Sequence, residues 1–240
     1  MNTTDPNSQL PIIIFDVDGT LVGGESNDWS AFGEAYHQVT GADLNLKLFE
    51  RLSEVTAHSI ISAALADAGE ANPLPVIAKI AAAYADILAA KIADRPGVFD
   101  ATDGAIELLS TLSERGYDCA IATGDWHKSI TLKLDEAGLP WRELPIATSS
   151  DRPTRAATIT LAAERAGRPI TDAVYVGDGT WDFRATQTLG IPFIGVGSKK
   201  AALIEEGARF VLSSLAPVNF FPVLEETLAW RMQIAKDSAK

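Results

Sequence analysis

A single cysteine, Cys119, is all the thiol chemistry this chain carries. Without a second one there is no intramolecular disulfide and no thiolate metal cluster. Its place in the apolar run Tyr117 to Ala122 makes it a buried core thiol. Long apolar segments are also missing. Residues 1–10 are polar and lack a basic n-region, and the apolar stretch that follows is too short for a signal peptide or a membrane span. The expectation is a soluble cytoplasmic protein. Basic charge is scarce as well: 20 Lys and Arg stand against 32 Asp and Glu, a net charge of -12. That balance argues against nucleic acid and anionic membrane as partners. An anionic substrate stays open, because a bound metal can invert the local field. Internal repeats, low-complexity tracts and coiled-coil heptads are absent.

What remains is the composition of a folded globular protein, 47% hydrophobic and 22% charged over 240 residues. This length suits one α/β domain with a smaller insertion. The run Ile12-Ile13-Ile14-Phe15-Asp16-Val17-Asp18-Gly19-Thr20-Leu21 reads as a strand covered on both faces that ends on two carboxylates and a tight turn. In open α/β sheets, the C-terminal ends of strands are where ligands bind. Asp16 and Asp18 lie two apart, so in extended geometry they share a face and repel one another unless a cation is near. The pair asks for a metal.

After Leu21 the pattern turns helical and stays so to about Ala93, between Gly23-Gly24 and Arg95-Pro96-Gly97. Pro73 to Ala93 is the strongest amphipathic helix, with Leu74, Ile77, Ala81, Tyr84, Leu88 and Ile92 at spacings of three and four. Weaker helices are expected near Asp28 to Val39, Leu46 to Leu52 and His58 to Ala68. Residues 23–96 therefore read as an all-helical lid inserted into an α/β core made of 1–22 and 97–240. From Asp103 onward helices and strands alternate, with strands at Tyr117 to Ala122, Leu144 to Ala147, Ala173 to Val176, Ile191 to Val196 and Phe210 to Leu212, and a terminal helix from Phe220. Such alternation implies a doubly wound parallel sheet.

Three further segments belong at the same sheet edge as Asp16. Strand Tyr117 to Ala122 ends in Thr123-Gly124-Asp125, a hydroxyl and a helix N-terminus that can bind phosphate oxygens, although Thr123 alone also fits a helix cap. Asp151-Arg152-Pro153-Thr154-Arg155 brings two arginines to a helix start, where a cation opposes the helix dipole and a bound anion would explain it. Val174-Tyr175-Val176-Gly177-Asp178-Gly179-Thr180-Trp181-Asp182 ends a second buried strand on a carboxylate and offers another four residues on. Asp182 is either a partner of the metal site or the N-cap of the next helix.

These motifs resemble the haloacid dehalogenase superfamily, in its phosphoglycolate phosphatase-like branch with a helical cap inserted after the first motif. The resemblance implies a Rossmann-like core and Mg2+ held by the Asp16 side chain, the Asp18 backbone carbonyl and Asp178. It makes Asp16 the nucleophile that forms an aspartyl-phosphate and Asp18 the general acid and base. Thr123 and Gly124 bind the phosphoryl group, and Thr20 supports the loop. At the station for a lysine or arginine the lysine is absent, so one of two arginines must serve. Arg155 is preferred because Thr154 would cap the helix and place it just inside, and Arg152 is the competitor. The implied substrate is a small phosphorylated metabolite chosen by the cap. Thr56, His58 and Arg51 are candidate pocket residues, Lys47, Lys79 and Lys91 candidates only for a phosphonate-cleaving relative, and Trp126, Trp141 and Trp181 candidates for the entrance. A phosphomutase, a phosphonatase or a non-catalytic phosphoryl-binding module would share these motifs, and oligomeric state is not legible.

Overall fold

Alternation along the first strand, β1 (Ile12–Phe15), sends Ile12 and Ile14 to one face of a sheet and Ile13 and Phe15 to the other, with all four fully buried. The computed structural model describes residues 10–238; the polar stretch at 1–9 and residues 239–240 lie outside it. The sheet has six strands, all parallel. Besides β1 these are β2 (Cys119–Ala122), β3 (Ile146–Ala147), β4 (Ala173–Gly177), β5 (Phe193–Val196) and β6 (Phe210–Leu212). Their spatial order is β3-β2-β1-β4-β5-β6. The direction of winding reverses between β1 and β4, and the crevice beyond the C-terminal ends of those two strands is where this topology accepts a ligand.

Helices cover both faces, as an all-parallel sheet requires. In the core they are α4 (Ala105–Glu114), α5 (His127–Glu136), α6 (Arg155–Arg165), α7 (Thr180–Leu189), α8 (Lys200–Glu206) and α9 (Pro217–Ser238). One apolar cluster joins Ile12, Ile14 and Tyr175 to α6, α7 and α8; the other joins Ile13, Phe15 and Val176 to α4, α5 and α9. The doubly wound expectation is met. Cys119 is buried, and burial pushes its thiol up to about 12.

The section between β1 and α4 is helical throughout: α1 (Glu25–Thr40), a 3-10 turn at Leu46–Arg51, α2 (Ala57–Asp67) and α3 (Pro73–Asp94). Helix α1 starts three residues earlier than its apolar pattern indicates. Leu46–Arg51 is 3-10 rather than α because Asn45 opens it with an i to i+3 bond, its carbonyl accepting from the Leu48 N–H at 3.1 Å. Helix α3 packs on α1 and on α5 of the core. The contact is aromatic: Phe32 of α1 meets Tyr84 of α3 edge-on at 5.3 Å and Trp126, before α5, at 5.7 Å. The helical section thus shares one buried cluster with the sheet.

Candidate active site

The ladder that holds β1 against β4 ends on Asp16, whose N–H donates to the Val176 carbonyl at 2.9 Å. The chain then curls back, with the N–H groups of Leu21 and Val22 both donating to Val17 O at 2.9 Å. Gly19 makes the turn at φ +80°, and a Cβ there would collide with the Asp178 carboxylate. Glycine is required because the loops after β1 and β4 touch at this point.

Arg155 is the first residue of α6, capped by Thr154, whose hydroxyl accepts from the Ala157 N–H at 3.4 Å. Its side chain is 6% exposed. One guanidinium nitrogen, Nη1, lies 3.0 Å from Asp16 Oδ1 and 2.9 Å from Asp182 Oδ1, and the other, Nη2, donates to Val55 O at 3.0 Å. Arg152 stays exposed and turns back on the Asp151 carbonyl. Of the two arginines, only Arg155 reaches the carboxylates. A Cβ at Gly124 would press on that guanidinium and on the Val55 carbonyl, so glycine gives Arg155 its room. The Gly124 carbonyl accepts from the Ala57 N–H at 2.8 Å, and the Thr56 hydroxyl donates to Pro153 O at 3.0 Å, so the start of α2 is stitched to the core beside Arg155.

Asp182 is not the N-cap of α7. Gly179 holds that position, and Asp182, three residues in, reaches back to accept the Gly179 N–H at 3.0 Å while its other oxygen faces Arg155. Carboxylate oxygens of Asp16, Asp178 and Asp182 lie within 4.8 Å of one another, and all three residues are buried. Burial pushes the Asp16 carboxyl well above its ordinary range, with Asp182 and Asp178 adding repulsion and Arg155 opposing it. Burial likewise pushes Asp178 up to about 7, against the pull of Lys199. Lys199 Nζ sits 2.6 Å from Asp178 Oδ2 and 2.7 Å from Glu25 Oε1 on α1. The second Asp178 oxygen, Oδ1, is buried without a hydrogen-bond partner. An orphaned acceptor among crowded carboxylates, all hard oxygen donors, fits a cation such as Mg2+.

The Asp18 carboxylate points elsewhere, to Lys133 of α5 at 2.7 Å. Lys133 is fully buried and also pairs with Asp28 of α1 and with Asp125 at 2.9 Å. Tyr84 of α3 donates its hydroxyl to Asp28. Burial raises Asp28 to about 7, although Lys133 pulls it down. None of Lys133, Lys199, Glu25 or Asp28 stood out in the sequence. Lys133 did carry a signal: it lies on the apolar stripe of α5 with Ile130 and Leu134, a face where a lysine needs partners.

Thr123 follows β2 with its hydroxyl accepting from the Asp125 N–H at 3.2 Å, and it faces the same cavity as Asp16, Asp18 and Gly124. α5 begins only at His127, so Thr123 is not its cap. Thr20 holds its loop through its carbonyl, which accepts from the Thr102 hydroxyl at 2.5 Å. The cavity has a volume of about 420 Å³ and opens between the sheet edge and the helical section. Thr56 and Trp181 line it; His58 and Arg51 do not, and Arg51 pairs with Asp67 instead. Trp126 is buried and Trp141 bonds Asp135. Among the described residues, no lysine of the helical section lines the cavity.

Residues 13–196 match the model of the haloacid dehalogenase-like hydrolase family. The chain belongs to that family and is a hydrolase. It is 28% identical to a phosphoglycolate phosphatase of Agrobacterium fabrum over 91% of this chain and 94% of that one. It is 29% identical to the probable phosphatase IndB of Dickeya dadantii over 78% and 80%. Among solved structures, CbbY from Rhodobacter sphaeroides in complex with phosphate shares the fold, with a TM-score of 0.72, 24% identity and coverage of 90% of this chain and all of that one. A β-phosphoglucomutase from Clostridium difficile shares it too, with a TM-score of 0.71, 16% identity and coverage of 92% and 99%. No helix of the described residues is long and apolar enough to cross a membrane.

Proposed function

We propose that this chain is a Mg2+-dependent phosphatase that hydrolyses a small phosphate monoester through an aspartyl-phosphate on Asp16. The observation that carries the reading is the single guanidinium of Arg155 between Asp16 and Asp182, beside the unpartnered oxygen of Asp178. Asp16, Asp178 and the Asp18 backbone carbonyl are the proposed holders of the cation, with Asp182 behind them. When bound, the cation supplies positive charge to the phosphoryl oxygens.

Asp16 must be ionised to attack phosphorus, and burial works against that. Arg155 opposes the penalty, and with the Thr123 hydroxyl and the Gly124 N–H it is the proposed partner of the equatorial oxygens. In the first step an Asp16 oxygen bonds to phosphorus as the bond to the leaving oxygen breaks, and Asp18 gives that oxygen its proton. In the second, water attacks phosphorus, passes a proton to Asp18, and the bond to Asp16 breaks to restore the carboxylate. Lys133 fixes where the Asp18 carboxylate sits. Asp18→Asn is expected to lower kcat by roughly 10² to 10⁴, the worth of general acid-base catalysis, while inorganic phosphate still binds. The check is steady-state kinetics beside phosphate titration by calorimetry; unchanged kcat would remove Asp18 from the reaction.

Proton linkage gives a second expectation. In the metal-free protein Asp28 and Asp178 hold their protons up to about 7, against an ordinary value of 3.8 when unfolded. Between those values the folded state binds more protons, so stability falls as pH rises. The raised lysine and arginine values lie above this window. A cation that binds ionised Asp178 offsets the loss, so Mg2+ should raise Tm more at pH 8 than at pH 5. Equal shifts in thermal denaturation would contradict the site.

The reading as a whole is tested by inorganic phosphate release from a panel of phosphate monoesters, with Mg2+ and with chelator. Mg2+-dependent release supports it. Conversion of a sugar phosphate to its isomer without release would replace it with a mutase.

A further inference from the structure

The lining that the helical section supplies to the cavity is mostly apolar: Trp29 and Phe32 of α1, Leu46, Val55, Ile60 of α2 and Tyr84 of α3, with Glu25, Asp28 and Thr56 among them. Phe32 packs edge-on against both Trp29, at 5.9 Å, and Tyr84, so the rings form one continuous surface. No described lining residue between 25 and 94 is Lys, Arg or His. Carboxylates on the lining outnumber cations five to two, and both cations, Arg155 and Lys199, are committed at the sheet edge. A second anionic group on the substrate would meet no partner here and would face Asp28 and Glu25.

Hydroxyl-rich groups fare little better. The polar side chains on this wall already have bonds: Thr56 gives its proton to Pro153 O and accepts the Ser59 N–H, Tyr84 donates to Asp28, and Asp28 also takes Lys133. Buried hydroxyls of a sugar would lose water without replacement. An ammonium group would find both carboxylates of the helical section already paired, Asp28 with Lys133 and Glu25 with Lys199, and the Tyr84 ring already beneath Lys133 at 5.7 Å. Aromatic and branched aliphatic walls instead favour release of water from apolar surface.

We infer that the substrate's leaving group is uncharged and largely apolar, an aryl or bulky alkyl alcohol, and that Trp29, Phe32, Leu46 and Tyr84 select it. The inference rests on the phosphatase reading and narrows it away from the carboxylate-bearing substrate that the phosphoglycolate phosphatases are named for.

The test compares kcat/KM for phenyl phosphate, phosphoglycolate, glucose 6-phosphate and phosphocholine, all with Mg2+. Phenyl phosphate should lead the other three by at least about tenfold, the scale on which apolar pockets discriminate. Preference for any of the other three overturns the inference while leaving the phosphatase reading intact. Leu46 is exposed on its 3-10 turn, so Leu46→Lys should fold, a point checked by its Tm. A cation added to the wall should cut the preference for phenyl phosphate over phosphoglycolate by about tenfold, and an unmoved ratio counts against the wall. Calorimetry with phenylphosphonate and phosphonoacetate separates the two claims. Tighter binding of phenylphosphonate without turnover of any monoester would keep the pocket and sink the phosphatase reading; tighter binding of phosphonoacetate would sink the pocket.

Discussion

Replacing Asp16 with asparagine is expected to remove phosphate release, by at least about 10⁴-fold, because an amide cannot form the acyl-phosphate on which both steps depend. The same change should leave the fold as stable as before or more so. Burial and the neighbouring Asp182 and Asp178 make the charged Asp16 costly, and that penalty goes with the charge. Opposing it is the loss of one partner for Arg155, which keeps Asp182 at 2.9 Å. Thermal denaturation beside activity separates the two effects. A fall in both would mean that Asp16 is a structural carboxylate; activity that survives would end the covalent mechanism.

Arg155→Met should damage both properties. It strands Asp16 and Asp182 in the interior without their shared cation, which costs about 3 to 5 kcal/mol when a buried pair is broken from one side. It also removes a fixed donor from the phosphoryl site, worth about 10² to 10³ in kcat. The companion Arg152→Ala removes an exposed side chain with one local bond to a carbonyl, so activity and stability should stay within about 0.5 kcal/mol of the parent. Combining Arg155→Met with Asp16→Asn should recover part of the lost stability, since one of the stranded charges is then gone. A mild Arg155 variant beside a severe Arg152 variant would reverse the assignment of the phosphate-binding cation.

The reason Arg155 was legible in the chain is local: a cation at a helix start runs against the dipole and needs an anion, and Thr154 fixes where the helix begins. β1 and β4 were legible for a similar reason, since short apolar runs rich in β-branched residues that stop at a Gly turn read as buried strands. The parallel sheet followed from the alternation of elements. Asp182 was harder, because an acidic residue near a helix start serves equally as a partner of the metal site or as N-cap, and only the fold shows that Gly179 is the cap and that Asp182 accepts its N–H from three residues on. The Lys133 cluster lay out of reach. Asp18, Asp28, Tyr84, Asp125 and Lys133 come from five separate places in the chain, and tertiary packing, α1 on α3 and α3 on α5 above the sheet edge, brings them together. Nor do the apolar positions of α1 and α3 say which of them face a cavity and which a neighbouring helix. Phe32 does both, and only the fold shows it.

The most direct test of the central claim is to quench the enzyme with acid during turnover of phenyl phosphate and Mg2+ and to locate any covalent phosphoryl group by peptide mass spectrometry. A phosphoryl group on Asp16 that disappears once substrate is exhausted, and is absent from Asp16→Asn, is the expected result. Turnover that leaves no phosphoryl group on Asp16, or places it on another residue, would contradict the mechanism.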